Sequence, residues 1–155
     1  MSKYIFMLII LMISSIFCGN KNSDYWNNII QKKAPQELKG LRVINRNDIN
    51  DKDNLEAFDK YNPDIIMSDD FNNNGKEDFV IPCISKSEKN KWYVLIFEKN
   101  NNNEYNFVQY FKFDLKSLYI FKLKGKGRMT ITLGESFASD AIINIFWKDG
   151  RYVRD

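Results

Sequence analysis

From residue 65 to the end, the sequence is a succession of short β-branched and aromatic runs, separated by polar segments that hold glycine, asparagine or lysine, which leaves little room for anything but a meander of strands. The runs are 65–67, 79–84, 92–98, 105–113, 118–123, 128–133, 141–147 and 151–153, and the third and fourth are separated by Lys99, four asparagines and Glu104. Strands joined by tight turns rather than by helices pair antiparallel. Ahead of them, 23–33 reads as a helix, with Ser23 as its cap, Tyr25, Trp26, Ile29 and Ile30 on one face, and Pro35 as its stop. A shorter helix starts near Asp53, turns Leu55 and Phe58 inward, and ends before Asn62-Pro63. Pro82 inside the second run marks an edge position or a bulge. The expected fold class is α+β, mainly β: an antiparallel meander sheet with one or two short N-terminal helices.

The first 18 residues follow a different rule. Lys3 is their only charge, Ile5 to Ile13 carries no polar side chain, and Ser14, Ser15, Ile16, Phe17, Cys18 and Gly19 lead into polar sequence. A cation, an apolar stretch and small residues, in that order, are the arrangement of a secretory signal. The apolar stretch from Tyr4 to Cys18 is 15 residues long, short of the roughly 20 needed to span bilayer hydrocarbon. The expected organisation is therefore 1–18 as a signal peptide and 19–155 as a single globular domain. Cys18, directly after the apolar run, resembles the modified cysteine of bacterial lipoprotein signals, although Ser15 and Phe17 depart from the usual leucine and small residue. That resemblance implies lipidation at Cys18, and the other reading is ordinary cleavage after Ser15 or Cys18. Either way the destination is the periplasm or a membrane-anchored place in a bacterial envelope. With Cys18 acylated or removed, Cys83 has no partner and reads as a small buried apolar residue.

Composition removes several chemistries. The chain has no histidine, so Ser-His-Asp and Cys-His nucleophile pairs, imidazole acid–base catalysis and His-based zinc sites cannot be built from it. Two cysteines cannot make a thiolate cage. Gly134-Glu135-Ser136-Phe137-Ala138 only faintly echoes a nucleophile elbow and has no base to activate the hydroxyl. Gly125-Lys126-Gly127 lacks the rest of a phosphate-binding glycine pattern. The formal charge is +3, or +2 with Lys3 set aside, and implies no bulk electrostatic partner.

One segment does carry chemistry. Asp70-Phe71-Asn72-Asn73-Asn74-Gly75-Lys76-Glu77-Asp78 places oxygen-bearing side chains at loop positions 1, 3, 5 and 9, with glycine at 6. A tight loop would turn Asp70, Asn72, Asn74 and Asp78 inward, Gly75 would supply the bend, and the Lys76 carbonyl could add a further oxygen. Such a set suits a hard cation, and Ca2+ accepts its flexible geometry more readily than Mg2+. Ile81 stands where an EF-hand requires glutamate, and the flanks read as strands, so this is not an EF-hand. The other reading is a metal-free polar turn in a chain that holds 19 asparagines.

The segment 69–81, DDFNNNGKEDFVI, resembles the calcium loop of FG-GAP or VCBS-type repeats, whose usual form is close to GDFNGDGKPDLVV. The resemblance implies Asp70, Asn72, Asn74 and Asp78 as side-chain ligands and Lys76 as the carbonyl ligand. Asn74 stands for the usual aspartate and Asn73 for the usual glycine, so only Asp70 and Asp78 would be charged and binding would be weak, of extracellular millimolar type. One copy excludes a propeller. Trp92 to Phe97, and Phe146 to Tyr152, are similar to small secreted bacterial proteins that carry a single such loop, a likeness that implies a fold and an ion but no activity.

Lys112, Lys116, Lys122, Lys124, Lys126 and Arg128 form a basic stretch that reads as a solvated hairpin, or as a face for anionic lipid or polysaccharide. The aromatic residues of 92–113 read as sheet core, or in part as a face for carbohydrate or protein. The functional expectation is an exported, non-enzymatic envelope protein with a weak calcium loop and a surface for an envelope protein or glycan, without nucleic acid. Two alternatives stand beside it: an inhibitor or immunity-type protein that binds a periplasmic enzyme, and a carboxylate-based glycan hydrolase.

Overall fold

A computed structural model describes residues 18–49, 52–61, 65–88, 91–114, 119–125, 128–134 and 142–155. Residues 1–17 of the expected 1–18 signal peptide lie outside the described residues, as do Lys116, Lys126 and Ser136. The chain is α+β and mainly β. Helix α1 is Cys18–Lys33 and α2 is Lys52–Tyr61; the strands are β1 Leu41–Val43, β2 Met67–Asp69, β3 Asp78–Ser85, β4 Lys91–Lys99, β5 Tyr105–Asp114, β6 Tyr119–Gly125, β7 Arg128–Gly134, β8 Ile142–Lys148 and β9 Arg151–Arg154.

Every pairing is antiparallel, and the strands divide into two sheets. In the first, β3, β4 and β5 are neighbours in sequence order, and β1 and β2 share the free side of β3. In the second, β6 to β9 follow one another as a plain meander. The first sheet is covered on both faces. Trp92, Val94 and Ile96 of β4 join Val80, Phe113, Ile145 and Tyr152 in a core shared with the second sheet. Tyr93, Leu95 and Phe97 alternate with them and join Trp26, Ile30, Ala34, Ile81 and Cys83 in a core beneath α1. A strand buried on both faces has no polar side to show, which is why β4 reads as an unbroken apolar run.

Local differences from the expected elements have physical causes. Helix α1 starts five residues before Ser23, so Ser23 lies inside it rather than capping it. Its buried stripe is Trp26 and Ile30, continued by Ala34 just past its end and spaced by four, which leaves Tyr25 exposed. In α2, Leu55 and Phe58 are half-buried while Asn54 is buried. Strand β1 is three residues long, too short to show a period. Pro82 sits on the side of β3 shared by two short strands: β1 pairs from Cys83 onward, β2 stops at Val80, and the Pro82 carbonyl accepts from Ile44 N at 3.1 Å. A residue's N–H and C=O point to the same side of a strand, so the missing donor faces that gap and leaves the β4 ladder intact.

The register shift lies elsewhere, between Ile96 and Phe97, where β5 skips Val108. Beyond it the faces of β5 exchange: Tyr105 and Phe107 pack under α1, whereas Phe111 and Phe113 pack against the second sheet. Gln109 then meets β9. Its Nε2 donates to Tyr152 O at 2.9 Å and its Oε1 accepts from Tyr152 N at 3.2 Å, so one side-chain amide serves both backbone groups of an edge residue.

Candidate functional site

The 70–78 loop joins β2 to β3, and its ends are held by the Asp69 to Asp78 strand pairing. Asn73 and Gly75 take positive φ, 56° and 82°, which curls the chain so that alternate side chains fall inside. Asp70 accepts from Asn74 N through Oδ1 at 2.9 Å and from Gly75 N through Oδ2 at 2.8 Å. Asn72 Oδ1 accepts from Asn74 N at 3.1 Å, and Asn74 Oδ1 accepts from Lys76 N at 2.8 Å. Asp78 closes the ring, its Oδ2 accepting from Phe71 N at 3.0 Å and from Asn72 N at 3.3 Å. The side chains of Asp70, Asn72, Asn74 and Asp78 thus converge on the backbone of one turn, with Lys76 at its exit.

Asp78 is fully buried, and Tyr152 of β9 donates its hydroxyl to Asp78 Oδ2 at 2.6 Å. Burial pushes the Asp78 carboxyl above the ordinary carboxylate range, against the pull of the Tyr152, Asn72 and Phe71 donors. The Tyr152 phenol is raised by its own burial and by the acceptor it faces. Two acidic groups of the loop therefore sit in different settings, Asp70 half-buried at the rim and Asp78 in the core.

Glu98, at the end of β4, pairs with Asp78 across the ladder and completes the cluster. It receives the side-chain amide of Asn74, the Asn72 amide at 3.4 Å and the Lys76 ammonium at 3.2 Å. Burial raises the Glu98 carboxyl, but the donors from Asn74, Lys76 and Asn72 outweigh it and hold the group below its usual value. Neither Glu98 nor Tyr152 stood out in the sequence. Folding the β3 and β4 runs back about Glu88 would have brought Asp78 opposite Glu98; nothing local points to Tyr152, 74 residues away.

Every side chain turned into the loop offers oxygen, the donor type of a hard cation. Asp70 accepts two N–H bonds and keeps lone pairs for a metal, whereas Asp78 Oδ2 already takes Phe71 N, Asn72 N and the Tyr152 hydroxyl, so an ion would take Oδ1 in place of the Asn72 amide that reaches it at 3.4 Å. Asp70, Asn72, Asn74, Asp78 and the Lys76 carbonyl would hold such an ion, with Glu98 as a third nearby carboxylate, engaged by Lys76. Among the described residues, no three His, Cys, Asp or Glu side chains are grouped to hold a metal by themselves, so the amide oxygens would be essential to the set. Cys18 opens α1, remote in sequence from this loop. No family model matches the chain, and no curated protein or solved structure is significantly similar to it.

Proposed function

We propose that this chain is an exported envelope protein, non-enzymatic, attached to the membrane through Cys18, whose 70–78 loop takes Ca2+ and so braces a surface for an envelope protein or glycan. The observation that carries the cation reading is the convergence of Asp70, Asn72, Asn74 and Asp78 in one closed turn whose last member is bonded to the second sheet. A cation there would offset the burial of the Asp78 charge and draw the loop and β9 together. Export is supported by the order of Lys3, the apolar run and the small residues before Cys18. In the attachment, the Cys18 thiol loses its proton and forms a thioether with a diacylglyceryl group from a membrane phospholipid, whose phosphorylated headgroup leaves; hydrolysis of the Phe17–Cys18 peptide bond frees the mature chain.

Calorimetric titration tests the cation reading. Calcium should bind in a saturable, single-site manner in the millimolar range, and Asp70→Ala should abolish the heat. Linear dilution heats in the unaltered protein would refute it.

A further inference from the structure

We infer that the anchored protein presents one particular end to the bilayer, the end formed by the 70–78 loop and the 100–104 turn. This rests on the acylation of Cys18 proposed above. Helix α1 runs unbroken from Cys18 to Lys33, so no flexible linker separates the anchor from the fold. Trp26 clamps the helix. It is 2% exposed, and its ring lies 5.0 Å from that of Phe79, 5.9 Å from Phe97 and 4.8 Å from Tyr105. These three sit at the start of β3, near the end of β4 and at the start of β5, which is one end of the first sheet. That end also holds the cation loop, because Lys99 N donates to Glu77 O at 2.9 Å.

At 1.5 Å per residue, Cys18 lies about 12 Å along the helix from Trp26. The helix leads inward from this clamp: the chain that leaves its C-terminal end reaches the far end of β3, where Leu41 pairs with Ser85 and Gly40 O accepts from Lys86 N at 3.4 Å. The residues before Trp26 therefore project past the loop end rather than back over the sheet. The opposite end, at Ser85, is about 25 Å away along β3 at strand rise, too far to share the membrane surface with Cys18. Tyr25 supports the same orientation. It is 48% exposed beside the clamp, its ring is 6.1 Å from that of Tyr105, and an exposed phenol next to a lipid anchor suits the headgroup layer.

The test uses the acylated protein in phosphatidylcholine vesicles with nitroxide-bearing headgroups. Zwitterionic lipid avoids repulsion of Glu77 and Glu104, both exposed at this end. A maleimide fluorophore is attached at Asn102→Cys or, separately, at Lys86→Cys, both exposed positions. Cys83 is buried and its thiol is pushed up by burial, so it stays unlabelled, and the Cys18 sulfur is held in the thioether. Quenching should be several-fold stronger at position 102 than at 86, and a flexible glycine-serine insertion after Asn22 should erase the difference. Equal quenching at the two positions, or stronger quenching at 86, with the acyl mass on Cys18 confirmed, overturns the orientation alone. A mature chain whose mass lacks the diacylglyceryl group removes the anchoring and the orientation with it.

Discussion

Gly75 holds φ at +82° where the loop bends, and a Cβ built there meets nothing within 4 Å. The cost of a side chain at that point is therefore backbone strain alone, and Gly75→Ala should destabilise by about 1 kcal/mol in urea unfolding with an unchanged slope. An unmoved midpoint would show that the loop does not need this conformation. Tyr152 is the other decisive residue. Its hydroxyl is a donor to a fully buried carboxylate, so Tyr152→Phe should cost about 2 kcal/mol, as hydrogen bonds to charged groups do. The pH dependence has a defined sign. The folded phenol is raised above the ordinary 10 by burial and by Asp78, so its contribution is complete below pH 10 and declines above it, as the unfolded tyrosine releases its proton first. In Tyr152→Phe that alkaline decline should be shallower, and identical profiles would contradict the assignment. Asp70, Asn72, Asn74 and Asp78 were legible because their spacing is local. Glu98 and Tyr152 were not, because register and sheet packing bring them in.

At the scale of elements, the alternation of runs and turns was enough to place β3 to β9, since each strand carries its own apolar residues and its own closing turn. It was not enough for β1, whose three residues gain their conformation from pairing with β3 and from Asn27 of α1. Nor could it divide the strands between two sheets, because alternation shows that a face is buried and not what buries it. Strand β3, like β4, serves both cores: Val80 faces one, Ile81 and Cys83 the other. Cys83 is fully buried and its thiol is raised by desolvation. In a Cys18→Ser variant, a thiol reagent should therefore label Cys83 only at the rate of unfolding, and rapid labelling of the folded protein would mean that β3 opens locally.

Across the molecule, α1, the first sheet and the second sheet stack so that two cores share β3 and β4. The second sheet is bonded to the first at two described points near the loop, Tyr152 to Asp78 and Gln109 to the backbone of Tyr152, with Arg154 Nη1 reaching Lys112 O at 3.5 Å further along. A cation held by Asp78 would act at this junction and so bear on the cooperativity of both sheets. The most direct measurement is thermal melting of the mature protein in calcium and in excess chelator. At millimolar affinity, roughly 10 mM calcium should add about 1.4 kcal/mol and raise the Tm by a few degrees, with the gain lost in Asp70→Ala. Superimposable melts in calcium and chelator would contradict a cation in the 70–78 loop.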